Sequence, residues 1–128
     1  MPDSELHSLR VDRERKLIDL RLKAMLSPED AAWIGEELRA AVRDFGPEVG
    51  QHVTLYDASS IPVVPQATAE LIINTFNNEA VRPLWARKVA FVVVTALARL
   101  QVQRLREVRP DIGIFGDREE AIAWLLEE

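Results

Sequence analysis

The sequence predicts a single α/β domain over residues 1–128, with a mixed, mostly parallel five-stranded sheet, an N-terminal antiparallel hairpin and about four helices. Three observations predict this class. Residues 88–95 form an apolar, β-branched run, typical of a central strand covered on both faces. Strand-like and helix-like patterns alternate along the chain, which is typical of parallel strands joined by right-handed crossovers. The length is enough for one hydrophobic core.

The first elements are predicted to be a hairpin and a helix. Residues 6–11 and 16–23 alternate apolar and polar side chains on either side of a charged turn, which predicts two antiparallel strands. Ser27 followed by Pro28 is a strong helix start, because the serine caps free amides and the proline is pre-set for the first turn. Apolar residues then recur at helical spacing to about residue 45, where Gly-Pro ends the helix.

A third strand and a second helix follow. Residues 52–56 alternate and end at Asp57, and a helix is predicted from Gln66 to about residue 77. Its spacing predicts that Leu71 and Thr68 lie on the outer side of this helix.

The segment after the central strand is basic. It predicts a helix with Leu97 and Leu100 facing inward and with Arg99, Arg106 and Arg109 on the surface. Residues 82–109 carry seven basic side chains and one acidic one, whereas the rest of the chain has nine basic and twenty acidic. Two interpretations stay open, a solvated helix face or a patch for an anionic partner.

The chain is predicted to end in a short strand and a last helix. Asp117 and Glu120 have the spacing of a capping box at the start of that helix. The apolar face around Trp124 is broad, so we predict a homodimer formed through this helix or through Leu71, since most oligomers are twofold.

Composition disfavours several functions. There is no cysteine, so disulfides and thiol chemistry are excluded, and the acidic start lacks signal-peptide features; both favour the cytoplasm. No apolar run approaches the roughly 20 residues of a membrane span. His7 and His52 lack metal-binding spacing, and no nucleophile motif is present, so neither a cofactor, a metal nor catalysis is predicted. The acidic remainder of the chain disfavours nucleic-acid binding.

The loop after the third strand is the main candidate site. It begins at Asp57 and runs to the next helix, carrying Ser59, Ser60, Gln66 and Thr68. Carboxyl ends of parallel strands are where α/β proteins usually bind ligands and partners. The loop contains no glycine and cannot form a phosphate-binding P-loop.

Three segments resemble a known family. Residues 55–59 read Leu-Tyr-Asp-Ala-Ser, residues 87–94 read Arg-Lys-Val-Ala-Phe-Val-Val-Val, and residues 114–125 read Ile-Phe-Gly-Asp-Arg-Glu-Glu-Ala-Ile-Ala-Trp-Leu. Together they resemble the SpoIIAA-like proteins, which are relatives of the STAS domain of anti-sigma factor antagonists. The resemblance covers nearly the whole chain in element order. Its motifs consist mainly of packing and helix-capping residues, so they indicate the fold more than the function.

The resemblance implies a (βα) superhelical domain that works by binding. In the antagonist branch a serine at the start of the helix after the aspartate turn is phosphorylated by a partner kinase. In this sequence that position falls on residues 65–68, which lack the serine, so Ser59, Ser60 and Thr68 are the hydroxyls left for such a switch. Other STAS-related proteins are similar to lipid-binding folds or bind nucleotides and anions.

Two functions follow as hypotheses. The first is a regulatory module that binds a protein partner, possible partners being a kinase or an anti-sigma-like regulator, through Asp57, Ser59, Ser60, Gln66, Thr68 and Leu71. The second is a carrier or sensor of a small anionic or lipid-like ligand held beside the central strand. In that case Arg99, Arg106 or His52 is expected near the mouth of the pocket.

Overall fold

The computed structural model describes residues 5–127 and confirms the predicted α/β class. The strands of this range are β1 (His7–Asp12), β2 (Leu17–Leu22), β3 (Val53–Asp57), β4 (Lys88–Val92) and β5 (Gly113–Phe115). The helices are α1 (Pro28–Arg43), α2 (Gln66–Phe76), α3 (Ala96–Leu105) and α4 (Arg118–Leu126). Two short 3₁₀ turns, Gly46–Glu48 and Arg82–Leu84, precede β3 and β4.

The strands form one sheet in the order β1-β2-β3-β4-β5. β1 and β2 are antiparallel, and every later pair is parallel. The valine-rich strand β4 is paired on both edges, as predicted, with Phe91 beside Tyr56 on one side and Val92 beside Phe115 on the other. The regular strand ends at Val92, although the Val93 amide still donates to the Phe115 carbonyl at 2.9 Å.

The sheet order decides where the helices lie. From β2 to β5, each strand lies next to the preceding one and always in the same direction across the sheet. Right-handed crossovers therefore place α1, α2 and α3 on one face of the sheet. α4 packs on the opposite face against β3, β4 and β5. The structure is therefore three-layered, and the two faces of the sheet have separate apolar clusters.

The helix starts follow the predicted caps. Ser27 accepts from the Asp30 amide at 3.1 Å, and the Asp30 carboxylate accepts from the Ser27 amide, which completes a capping box. Asp117 likewise accepts from the Glu120 amide at the start of α4. These bonds fix where α1 and α4 leave the sheet.

The α4 face is closed by apolar side chains and by two cations, Arg87 and Lys88, which donate to carbonyls at the end of α4. Leu55, Ala90, Ala121 and Leu125 are fully buried there. Lys88 donates to the Trp124 carbonyl at 2.8 Å, and so neutralises the partial negative charge at the end of α4.

Three predicted orientations are wrong. Leu97 and Leu100 are 55% and 58% exposed, because the side of α3 that meets the sheet is the stripe of Ala98, Val102 and Leu105. Thr68 is fully buried, since α2 lies between α1 and α3 and is covered on more than one side.

The third is Arg109, which the sequence placed on the surface. It is 5% exposed and folds under the segment that enters β4, where its Nη2 donates to the Ala86 carbonyl at 2.7 Å.

Among residues 5–127, no helix combines the length and the apolar character needed to cross a lipid bilayer.

Candidate functional site

An ion-pair cluster lies where β3 ends. Arg118, the first residue of α4, donates from Nη1 to Asp57 Oδ2 at 3.0 Å and to Asp19 Oδ1 at 3.1 Å. A further bond joins its Nη2 to Asp19. Asp57 Oδ1 accepts from the Ser59 amide at 3.0 Å and from the Ser59 hydroxyl at 2.6 Å. The cluster ties the turn after β3 to both β2 and α4.

The cluster keeps the buried Asp57 carboxyl ionised. Burial alone raises the pKa of Asp57, but the two hydrogen bonds from Ser59 and the Arg118 guanidinium together outweigh it, so the pKa lies below its ordinary value. Both Asp57 oxygens already accept hydrogen bonds, so this carboxylate acts as a structural anchor of the loop.

The loop after Asp57 is pinned to α3. The Thr95 hydroxyl donates to the Pro62 carbonyl at 2.5 Å, and the Gln101 side chain bonds both the amide and the carbonyl of Val64, at 2.9 and 2.7 Å. Ile61 is 3% exposed and points beneath the loop, where a cavity of only about 50 Å³ is left. The space below the loop is nearly filled by its own side chains.

A much larger cavity lies elsewhere on the helical face. Its volume is about 350 Å³, and it separates α1 and α2 from the middle of the sheet. This volume lies in the range of roughly 300–1,000 Å³ that is usual for small-molecule sites. Its walls are mostly apolar, and the aliphatic part includes Leu20, Leu22, Leu26, Ile34, Leu38, Val42, Leu71, Ile72, Val81, Leu84 and Val89.

Aromatic rings make up a second part of the wall. Tyr56 and Phe91 stack in register on neighbouring strands, with centroids 4.6 Å apart. Phe76 of α2 lies 6.3 Å from Tyr56 and 6.4 Å from Trp85. Burial raises the pKa of Tyr56 to about 12, so its phenol keeps its proton at neutral pH. These four rings all line the cavity.

Polar groups collect at one end of the cavity, near the amino ends of β3 and β4. His52 is 0% exposed and Arg109 is 5% exposed. The Arg109 guanidinium lies over the Trp85 ring, 4.8 Å from its centre. Within residues 5–127, His52 Nε2, Trp85 Nε1 and Arg109 Nη1 are buried without any hydrogen-bond partner. These three residues line the same end of the cavity, and a buried N–H group without an acceptor costs free energy.

His52 is neutral at physiological pH. Burial lowers its pKa, and the positive charge of Arg109 lowers it further. The Gly50 amide donates to His52 Nδ1 at 3.2 Å, so Nδ1 is the acceptor and the single ring proton sits on Nε2.

The cavity opens between α1 and α2. Ala32 is exposed there, and Gly35, Leu71 and Thr75 are half-buried. Gly35 leaves room for the Arg39 guanidinium, since a Cβ at Gly35 would lie 3.3 Å from Arg39 Nη1.

The predicted loop residues separate in the structure. Asp57 and Ser59 are bonded to each other, and Ser60 is exposed. Gln66 is exposed at the start of α2 and Thr68 is buried, with its hydroxyl donating to the Leu26 carbonyl at 2.7 Å. Leu71 lines the large cavity.

The two arginines predicted to bind an anion lie away from both cavities. Arg99 and Arg106 are exposed on and just after α3, and neither lines the 350 Å³ or the 50 Å³ space. Arg106 donates from Nε to the Ile112 carbonyl at 2.8 Å. His52, named with them, does line the large cavity.

Sequence reasoning did not select Trp85, Tyr56 or Arg109 for the site. A weak sequence signal for these residues exists. Trp85 lies just before β4 and Arg109 lies shortly after α3, and both segments lie at the amino edge of the sheet. The sequence pattern favours the carboxyl edge of the sheet instead, where α/β proteins more often bind ligands.

A structural comparison identifies the fold. The chain is similar to the crystal structure of an uncharacterised protein of the DUF3478 family with a SpoIIAA-like fold, from Shewanella loihica PV-4. The TM-score is 0.68 at 18% sequence identity, and the match covers 96% of this chain and 98% of that one. This chain thus has a SpoIIAA-like fold, as its sequence predicted. No protein-family model and no curated protein matches it.

Proposed function

We propose that this protein is a non-catalytic carrier or sensor of a small lipid-like ligand, bound in the cavity between α1, α2 and the sheet. The observation that carries this proposal is the cavity itself, about 350 Å³ with a mainly aliphatic and aromatic wall. Core side chains normally pack without voids larger than a water molecule. An open apolar space of this size leaves its walls in contact with water, which costs free energy unless an apolar ligand covers them.

The groups around the cavity suit binding better than catalysis. General acid–base work needs a titratable group poised near neutral pH. The acceptor nitrogen of the neutral His52 ring is already bonded to the Gly50 amide, and Tyr56 keeps its proton, so neither group is placed to take a proton from a ligand. The residues 5–127 contain no cluster of three His, Asp or Glu side chains that could hold a metal ion.

The proposal is tested with a twelve-carbon probe. Dodecanoate and dodecanol are titrated into the purified protein, and the melting temperature is followed, because a ligand that binds only the folded state stabilises it. We expect at least one of the two to raise the melting temperature, and native mass spectrometry to show one bound molecule.

A cavity-filling variant supplies the control. Leu71→Trp adds volume at the mouth and is expected to abolish the rise in melting temperature. Asn74→Trp adds the same ring at an exposed position of the same helix and is expected to leave it unchanged. If neither probe stabilises the wild-type protein and no added mass is seen, the proposal is wrong.

A second candidate function is regulatory binding of a protein partner around residues 57–68. A separate observation favours it. Val94, Leu97 and Leu100 are each more than half exposed on and beside α3, the helix to which this loop is pinned. Exposed apolar patches next to polar loops are typical of protein interfaces.

This second function is tested by capture from a cell extract followed by identification of the bound protein. A Leu97→Glu, Leu100→Glu double variant is expected to lose the specific partner. A Gln103→Glu, Arg104→Glu variant on the same helix serves as the control, since both positions are exposed. Equal recovery by all three proteins would rule out this surface.

A further inference from the structure

The polar end of the large cavity has a chemical preference that narrows the ligand class. This step rests on the proposed binding function. The unpaired atoms there are Trp85 Nε1, Arg109 Nη1 and His52 Nε2. An indole and a guanidinium can only donate hydrogen bonds. His52 also donates from Nε2, because its Nδ1 already accepts from Gly50.

All three orphan atoms are therefore N–H donors, and they belong to residues that line the same cavity. Arg109 is stacked over Trp85, and its Nη2 binds the carbonyl of the neighbouring Ala86. The His52 carbonyl accepts from the Arg87 amide at 2.7 Å, which holds His52 against the same segment. A buried donor without an acceptor costs free energy, so this end of the cavity fits an oxygen-rich, acceptor-only group.

From this geometry we infer that the ligand is a single-chain carboxylate of the fatty-acid type, with its carboxylate at Trp85, Arg109 and His52 and its chain along the apolar walls. A carboxylate is an acceptor-only group and matches three donors.

The charge balance favours one negative charge. Arg109 is the only cation of the three donors, and its partner Asp111, bonded to Nε at 3.0 Å, is mostly exposed, so water screens its charge and it offsets little of the buried guanidinium. A phosphate carries nearly two charges at neutral pH, and a second buried cation to pair with it is not found among these groups. A neutral alcohol offers one acceptor oxygen and leaves donors unpaired.

The inference is tested by comparing three probes of equal chain length. Calorimetric titration is carried out with dodecanoate, dodecanol and dodecyl phosphate. We expect dodecanoate to bind at least about tenfold more tightly than dodecanol, because hydrogen bonds to a charged acceptor are the stronger ones. We expect the same margin over dodecyl phosphate, because its second charge has no buried cation to pair with. In Trp85→Phe, which keeps an aromatic ring beneath Arg109, this preference is expected to fall several-fold. Arg104→Gln, an exposed position on α3, is expected to retain it in full.

Nuclear magnetic resonance gives a reading that does not depend on any variant folding. The indole Nε1–H of Trp85 is expected to shift downfield and to exchange more slowly with solvent when dodecanoate is added.

The outcomes separate the two proposals. Equal affinities for dodecanoate and dodecanol, or an indole resonance that does not move while dodecanoate binds, overturn the carboxylate assignment and leave the binding function standing. Tighter binding of dodecyl phosphate overturns it as well. If none of the three probes binds, the binding function itself fails.

Discussion

Arg118 and Asp57 are 61 positions apart in the chain, yet Arg118 Nη1 lies 3.0 Å from Asp57 Oδ2. This contact joins the first turn of the last helix to the end of strand β3, which is buried in the middle of the sheet. It also sets the position of the turn through Ser59, because Ser59 is bonded to the same carboxylate.

Replacing Arg118 is expected to destabilise the fold. In Arg118→Met the carboxylates of Asp57 and Asp19 lose their shared counter-ion, and Asp57 is only 6% exposed. We expect a loss of about 2–3 kcal/mol in the free energy of unfolding, measured by urea denaturation. Arg104→Met, at an exposed position of α3, is the matched control and should change stability by less than about 0.5 kcal/mol. A similar small loss in both variants would contradict the anchoring role.

The contact between Arg118 and Asp57 also makes the stability of the protein depend on pH, and the lowered pKa of Asp57 gives the sign of this dependence. The pKa of Asp57 is lower in the folded protein than its ordinary value of 3.8, so the carboxylate contributes stability that is complete above that value. The contribution is lost as the pH falls through the lower, folded-state pKa. We therefore expect the stability difference between wild type and Asp57→Asn to be constant around neutral pH and to shrink in strong acid. Urea denaturation at a series of pH values measures it, and a difference that grows on acidification would contradict the assignment.

Gly113 is predicted to tolerate no side chain. A Cβ there would lie 2.7 Å from a ring carbon of Phe115 and 2.9 Å from one of Trp124. We expect Gly113→Ala to cost about 1–3 kcal/mol through overpacking, measured by thermal unfolding. Gly116→Ala is the control, because its new Cβ would meet nothing closer than 3.9 Å. Gly113→Ala should cost less when it is made in a Trp124→Leu protein, and an equal cost there would show that the contact with Trp124 is not its cause.

The sequence was sufficient for the order of the elements and for the pairing of β4 on both edges, although β3 and not β4 is the middle strand of the sheet. These features depend on local signals, such as the β-branched run 88–95, the Ser27 cap and the Asp117 cap. The side of a helix that faces the sheet is harder to predict from the sequence. The spacing of Leu97 and Leu100 resembles a buried stripe, but helical spacing alone does not say which of two adjacent stripes meets the sheet.

The candidate site was less accessible to sequence reasoning, because its residues come from distant elements. Of the three donors, the sequence predicts a binding role only for His52, and it predicts that Arg109 lies in the exposed basic segment. Its burial depends on the fold, which brings the end of α3 beneath the start of β4 and gives the guanidinium the Ala86 carbonyl as an acceptor. The local sequence around Arg109 does not predict this contact with the start of β4.

Homodimer formation stays a prediction, and α4 and Leu71 remain the proposed contacts. Ala121 and Leu125 of α4 are buried against the sheet, while Ile122 and Leu126 are half-buried and so keep accessible apolar surface. We expect light scattering after size exclusion to give twice the mass of 14.5 kDa, and Ile122→Glu with Leu126→Glu to give a monomer. A monomer mass for the wild type at high concentration would end this prediction.

Thr68 and Ser60 are expected to respond in opposite ways to a phosphate-like charge. Thr68 is 0% exposed, and its hydroxyl donates to the Leu26 carbonyl at 2.7 Å, whereas Ser60 is exposed. Thr68→Val should cost about 1–2 kcal/mol, because the Leu26 carbonyl loses its donor. Thr68→Asp should prevent folding, because it buries an unpaired charge, and Ser60→Asp should leave the circular dichroism melting curve unchanged. A folded Thr68→Asp protein with a wild-type melting temperature would show that this hydroxyl is open to modification after all.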